Sequence, residues 1–230
     1  MPNWMSNTLT VRGPEQELVV FKQKAALTAP SIWSPGGSLV DPLSFESFVP
    51  MPESLNADED YKSKMALNIG LIAYQGRQGL TEVLNRPEIK KVGIQTLEGL
   101  QLFLDVTCPE ARASSDRHVK NIEDYGFASW YDWRLAHWGT KWDASDAELS
   151  EESATQFTYY FFTAQSAPEP VIEAMSRQHP LLQFEGTFDE PGIGVYFSAT
   201  WENGEKLGEQ LLERPTEDDS DEQEDAFDAN

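Results

Sequence analysis

The residues best suited to chemistry lie between Trp130 and Asp143. This segment holds four of the seven tryptophans and several polar side chains, namely Trp130, Asp132, Trp133, Arg134, His137, Trp138, Lys141, Trp142 and Asp143. One interpretation is a polar pocket walled by indole rings, in which Asp132 orients His137 as a general base. The other is a buried aromatic anchor, because a tryptophan buries a large area and its N–H needs only one acceptor. The pattern favours the structural interpretation. We expect Trp4 and Asn3 to join the cluster, with the Asn3 side chain capping backbone groups.

Other catalytic or metal-binding patterns are weak. The three histidines, His118, His137 and His179, are scattered, and Cys108 has no cysteine partner with which to form a zinc site. The sequence contains no EF-hand loop, P-loop, dinucleotide-binding glycine motif or serine nucleophile elbow. An acidic Mg²⁺ or Ca²⁺ site stays open, because acidic residues are numerous. We therefore predict no catalytic residue, no metal ligand and no cofactor.

The charge excludes several partners. The chain has 39 acidic and 17 basic residues, a formal net charge of −22. Such a protein does not attract nucleic acid phosphate, and the same repulsion opposes binding to anionic membranes. One cysteine permits no internal disulfide, which indicates a reducing compartment. Residues 1–13 contain no apolar signal core and no run of 18 apolar residues occurs, so we expect a cytoplasmic protein.

The C-terminal segment is the most acidic part of the chain. Residues 215–230 contain eight acids and no base. With Phe227 as its only large apolar residue, the segment cannot repay the entropy cost of folding, so we predict that residues 215–230 are disordered. We place the whole acidic tail at 205–230. The tail either only solubilises the protein or recruits a partner. The partner-binding candidates are Glu217, Asp218, Asp219, Asp221, Glu222 and Phe227.

Two strand-rich blocks must position these residues. In the first, Asn7–Arg12 alternates as a strand does, and Gly13-Pro14-Glu15 begins a helix whose Leu18, Phe21 and Ala25 share one face. The second block predicts a strand near 140–144, a strand over 155–163, a helix from Pro168, and a hairpin of 182–189 with 193–201. The helix should bury Val171, Ile172 and Met175, and the hairpin should bury Leu182, Phe184, Phe188 and Ile193.

The order of these elements is βαββαβ followed by one more strand. It predicts an α+β fold, a ferredoxin-like split βαβ antiparallel sheet with two helices on one face. We expect the sheet domain to comprise residues 1–30 and 140–204. Residues 31–139 would form a mostly helical insertion packed on it, with helical patterns over 58–84, 89–104 and 116–125.

Several motifs are similar to those of a known family. They lie at residues 1–13, 45–53, 130–133, 138–143, 162–164, 168–170 and 190–192. In this order, over roughly residues 1–204, the chain resembles the YubB-type ferredoxin-like family of plasmid and phage proteins. The family pattern usually has cysteine where this chain has Met5, so no essential thiol is expected there. The resemblance implies a ferredoxin-like fold and a mobile-element origin. It implies no agreed activity, and no catalytic residue follows from it.

These observations favour a non-enzymatic binding protein of a phage or plasmid. Its partner would be a host protein, a basic nucleic-acid-binding one, and the acidic surface would inhibit it in counter-defence or mimic DNA. One alternative is an enzyme or small-ligand-binding module that uses residues 130–143. Another is a structural protein of the mobile element. Acidic residues that only keep the protein soluble are a further interpretation of the same charge.

Overall fold

The computed structural model describes residues 3–26, 41–56, 80–107 and 109–214. The strands are β1 (Trp4–Arg12), β2 (Ser145–Glu152), β3 (Gln156–Ala164), β4 (Gln183–Glu190), β5 (Val195–Glu202) and β6 (Glu205–Leu211). The helices are α1 (Glu15–Ala25), α2 (Leu80–Leu84), α3 (Pro87–Lys91), α4 (Leu97–Thr107), α5 (Pro109–Tyr125), α6 (Trp130–His137) and α7 (Glu169–Gln178), with a 3₁₀ turn at Glu53–Leu55.

The strands form one antiparallel sheet in the order β2-β3-β1-β4-β5-β6. The order β2-β3-β1-β4 is the ferredoxin-like arrangement that the sequence predicts. Strands β5 and β6 extend the sheet beyond β4. Strand β1 is central, and Val11 lies opposite Phe157 on one side and Phe184 on the other. The prediction that the N-terminal strand and residues 157–163 belong to one sheet is confirmed, and the two strands are direct neighbours.

One face of the sheet is covered by helices. Met5, Leu9 and Val11 of β1 point to this side and are buried, as alternation along a strand requires. The predicted inward residues of α1 (Leu18, Phe21, Ala25) and of α7 (Val171, Ile172, Met175) are also buried. The Phe21 ring lies at the centre of this layer, with ring centroids 5.2 Å from Phe48 and 5.5 Å from Phe184.

Three predictions made from the sequence need correction: a strand, the start of a strand, and the start of the tail. Residues 140–144 do not form a strand, since β2 begins at Ser145. Ile193 lies in the turn before β5 and is 64% exposed. The tail does not begin at 205: Asn203 and Gly204 both have positive φ, at 50° and 79°, and this tight turn leads into β6. An Asn-Gly pair is a strong hairpin signal because both residues tolerate that backbone conformation.

The chain divides into two compact units. One comprises residues 1–50 and 134–230, and the other comprises residues 51–133. The sheet unit is thus larger than the predicted 1–30 and 140–204. The second unit contains α2 to α5, and its small core is formed by Val83, Ile89, Leu97 and Leu100. The predicted helix over 58–84 lies mostly outside the described residues, as does Cys108. Among the described helices, none is long and apolar enough to cross a membrane.

Candidate functional site: the tryptophan segment and the open sheet face

The tryptophan-rich segment lies at the junction in sequence between the two units. Trp130, Asp132 and Trp133 belong to the second unit, whereas His137, Trp138, Lys141 and Trp142 belong to the sheet unit. Asp132 and His137 are five residues apart in α6. Positions five apart on an α-helix lie about 140° apart around its axis. The helix itself therefore does not bring the proposed acid–base pair together.

Trp138 is a buried structural residue. Its ring is fully buried, and its indole N–H donates to the main-chain oxygen of Val49 at 2.9 Å. The Arg134 guanidinium lies 4.7 Å from the ring centroid of Trp138 and donates to the Lys141 main-chain oxygen at 3.3 Å. Arg134 is 1% exposed, and burial lowers the pKa of its guanidinium. These contacts hold the helix end, the following turn and the segment near Val49 together.

Asp143 anchors the same region through hydrogen bonds. Its carboxylate accepts from the Ser44 hydroxyl at 2.7 Å and from the main-chain N–H groups of Phe45, at 2.5 Å, and Ala144, at 2.8 Å. Burial raises the pKa of Asp143, and these hydrogen bonds oppose the increase. The bonds join two of the sequence motifs, 45–53 and 138–143. They also explain why residues 41–50 belong to the sheet unit.

Trp4 and Trp142 lie together on the side of the sheet opposite the helices. Their ring centroids are 5.6 Å apart, and the Lys141 ammonium lies 4.5 Å from the ring centroid of Trp142. Trp4 is 38% exposed. Asn3 contacts this region through its backbone, since its main-chain oxygen accepts from the N–H of Gln165 at 2.9 Å. The candidate cluster thus contains one buried part at Trp138 and one partly exposed part at Trp4 and Trp142.

Two further residues complete the predicted cluster. Trp133 is buried. Trp130 is half-buried, and its ring meets the edge of Tyr131 at a centroid distance of 5.6 Å. The predicted partner-binding residues Glu217, Asp218, Asp219, Asp221, Glu222 and Phe227 lie outside the described residues.

Sequence reasoning did not identify the face of the sheet opposite the helices. We call this surface the open face. Its residues, set by strand register, are Glu148, Glu151, Gln156, Thr158, Tyr160, Phe162, Trp4, Ser6, Thr8, Thr10, Arg12, Gln183, Glu185, Thr187, Asp189, Tyr196, Ser198, Thr200 and Glu202. Hydroxyl groups occupy its middle, and aromatic rings lie toward the end that contains Trp4. Among the described residues, no helix covers this face, since most of its side chains are half-buried or exposed.

Carboxylates outnumber cations on the open face. Arg12 pairs with Glu185, and Arg214 reaches the face to pair with Asp189. Glu151 accepts from Gln156 and Thr158. The open face is therefore acidic, as the whole chain is.

A polar cavity lies on the open face where Arg214 crosses it. Its volume is about 290 Å³, and it is lined by Ser6, Thr8, Thr187, Asp189, Tyr196 and Arg214. Arg214 donates to one oxygen of Asp189 from Nε at 3.1 Å and from Nη2 at 2.5 Å. Nη2 also donates to the main-chain oxygen of Val195 at 3.2 Å. Among the described residues, no group of three or more His, Cys, Asp or Glu side chains is placed to hold a metal ion.

Residues 137–230 match a family model described as the ferredoxin-like domain in Api92-like protein. This range contains β2 to β6 and α7, so it agrees with the fold seen here. A solved structure, protein Api92 from Yersinia pseudotuberculosis, shares 9% sequence identity with this chain. The match covers 94% of this chain and 100% of that one, with a TM-score of 0.48. No curated protein matches the sequence.

The matched range also locates the candidate residues. It contains Trp138, Trp142, Asp189, Tyr196 and Arg214. Trp4 and the rest of β1 come from outside it, although β1 occupies the centre of the sheet. The ferredoxin-like sheet is therefore completed by the N-terminal strand of the chain.

Proposed function

We propose that this is a non-enzymatic binding protein of a phage or plasmid that acts on a basic, nucleic-acid-handling host protein. The observation that carries the proposal is the open face, where acidic residues and exposed aromatic rings share one side of the sheet. Complementary charge steers association, and tryptophan and tyrosine are the residue types that most often dominate binding energy at interfaces. Inhibition of the partner, in counter-defence or by DNA mimicry, is the specific form that we propose.

The strongest alternative uses residues 130–143 as an enzyme site or a small-ligand pocket. The contacts of Trp138, Arg134 and Asp143 argue against it, because each of these side chains already bonds to the protein itself. A buried polar network that bonds to the main chain makes a region rigid, and the groups bonded in this way are not available to a substrate. We therefore favour a structural role for this segment.

Affinity capture from a bacterial lysate, followed by mass spectrometry, tests the proposed function. The bait is compared with a Glu148→Lys/Glu151→Lys variant of the open face. The matched control, Glu82→Lys/Glu123→Lys, makes the same charge change at exposed positions of the second unit. We expect one set of basic proteins to bind the wild-type chain and the control, and to be lost from the open-face variant.

Two further baits separate the other possibilities. A chain that ends at Arg214 lacks the acidic tail, so loss of the partner from this bait alone would move the binding site to the tail. Equal capture by all the charge variants would refute a role for the open face. Turnover of a small molecule that is lost in His137→Ala, with an unchanged melting temperature, would favour the enzyme alternative instead.

A further inference from the structure

Asp189 and Tyr196 form an aromatic–carboxylate pair on the open face. They lie directly opposite each other on β4 and β5. The guanidinium of Arg214 bonds to this carboxylate, with two contacts to one oxygen of Asp189 and one to the main-chain oxygen of Val195, and Tyr196 lines the same cavity. The chain thus shows how its open face holds an arginine side chain.

The same combination occurs a second time, on β2 and β3. Glu148 lies opposite Tyr160, and residues directly opposite each other in an antiparallel pair have Cβ atoms about 4.5–5.5 Å apart. Tyr160 is 36% exposed, and its ring meets that of Phe162 edge-on at 5.2 Å. Glu148 is exposed, and no cation among the described residues pairs with it. Among the described residues, Glu148 therefore has no guanidinium partner of the kind that Arg214 provides for Asp189.

Arginine fits this combination better than lysine does. A guanidinium is planar and weakly hydrated, so it can stack on a tyrosine ring and bond to a carboxylate with two parallel N–H groups. A lysine ammonium is a compact, strongly hydrated charge that gains less from the ring. Charge attraction by an acidic surface alone would not distinguish the two side chains.

We infer that Glu148 and Tyr160 form a docking position for an arginine side chain of a protein partner. The inference rests on the proposed function, because it names the partner side chain that the open face selects. It adds a preference for arginine over lysine and a place for it, the β2–β3 end of the sheet.

Peptide titrations followed by NMR test the inference. The probes are short peptides that alternate glycine with arginine, lysine or citrulline, the last of which keeps the planar shape of arginine without its charge. With the full, isotope-labelled chain, we expect the arginine peptide to bind at least about threefold more tightly than the lysine peptide. Its chemical-shift changes should be largest at Glu148, Tyr160 and their neighbours. The citrulline peptide should not bind.

Variants locate the effect. Glu148→Gln and Tyr160→Leu should each lower the affinity for the arginine peptide about threefold, whereas the control Glu123→Gln on α5 should not. Arg214→Ala should open the Asp189–Tyr196 pair and add a second set of shifted signals there. Arg117→Ala removes the same charge at an exposed position of α5 and should add none.

Four outcomes would overturn the inference. Equal affinity for the arginine and lysine peptides, or equal effects of Glu148→Gln and Glu123→Gln, would overturn the inference and leave the proposed acidic interface intact. Shifts spread over all acidic residues would do the same. Failure of both peptides to bind would overturn the inference and also remove the charge attraction on which the proposed function depends.

Discussion

The indole N–H of Trp138 donates to the main-chain oxygen of Val49 at 2.9 Å, across 89 residues of sequence. This bond joins the end of α6 to the segment that precedes the second unit. Phe45, in the same segment, meets the Trp138 ring edge-on at 6.1 Å. The relationship makes Trp138 a structural residue, and it can be tested by substitution.

Truncation of Trp138 should destabilise the sheet unit strongly. Trp138→Ala removes a fully buried ring and should cost about 3–5 kcal/mol of unfolding free energy. Trp138→Phe keeps most of the apolar contact but leaves the Val49 oxygen without its donor. This loss should lower the free energy of unfolding by about 1–3 kcal/mol. Trp142→Ala, at a half-buried position, should cost less than Trp138→Ala. Urea unfolding measures all three, and an unchanged midpoint for Trp138→Ala would refute the structural role.

Two glycines with similar backbone angles should respond differently to alanine. Gly139 has φ +83° and Gly126 has φ +80°, so each substitution carries the left-handed strain of about 1–2 kcal/mol. A Cβ at Gly139 would lie 2.6 Å from Cδ of Pro170 and 2.8 Å from the oxygen of Ala167, whereas a Cβ at Gly126 meets nothing within 4 Å. Gly139→Ala should therefore be clearly more destabilising than Gly126→Ala. Equal losses in thermal unfolding would show that the turn after α6 adjusts freely.

Protonation of His179 should weaken the fold in mild acid. Its ring lies 5.3 Å from that of Phe21 and 6.1 Å from that of Phe48, and burial, followed by the nearby charge of Lys24, lowers its pKa. Between the folded pKa and the ordinary value near 6.5, the unfolded chain binds the proton and the folded chain does not. The stability from His179 is thus present above about pH 6.5 and is lost as the pH falls through the folded pKa.

Urea midpoints measured from pH 7.5 to pH 5 test this dependence. His179→Leu should flatten the fall in stability over that range. Phe48→Leu, which disturbs the same cluster without removing a titratable group, should keep the slope of the wild-type chain. Identical slopes for the wild-type chain and His179→Leu would assign the acid sensitivity to other groups.

Association with the partner should depend on salt. An increase in salt concentration from about 50 to 500 mM shortens the Debye length from roughly 14 to 4 Å. The on-rate of an electrostatically steered encounter should therefore fall about tenfold or more. Stopped-flow or surface-based kinetics would measure it. DNA should compete for the partner, while the chain itself, at a net charge of −22, should bind neither single- nor double-stranded DNA. Tight binding of DNA by the purified chain would contradict the proposal.

Local patterns were enough to predict the ferredoxin-like sheet. The alternation around Leu9 and Val11 and the helical face of Phe21 each show within a few residues, because period 2 and period 3.6 are local properties. The sixth strand was not predicted because β6 is exposed along its length and has no buried face to pattern. The Asn203-Gly204 turn is the one local signal that indicates this strand.

The candidate site could be predicted in part. The proximity of Trp4 to Trp142 depends on the strand and turn that the sequence outlines. The bonds of Asp143 to the Ser44–Phe45 segment form between residues almost a hundred positions apart. Arg214 follows β6, and it reaches Asp189 of β4 only because β6 pairs back onto the edge of the sheet next to β5. No local signal identifies such partners, because tertiary packing chooses which amides and carboxylates meet.

The central position of β1 sets a limit on how early the sheet can form during synthesis. Arg12 pairs with Gln156 and Gln183, so the first strand to leave the ribosome must wait for strands that lie far along the chain. At translation rates of about 5–20 residues per second, that delay is roughly 10–35 s. During this time the apolar face of β1 is available to chaperones or to other nascent chains. The sheet can therefore close only after β3 and β4 have been made, and a protein fused before β1 would lie next to an unpaired strand until then.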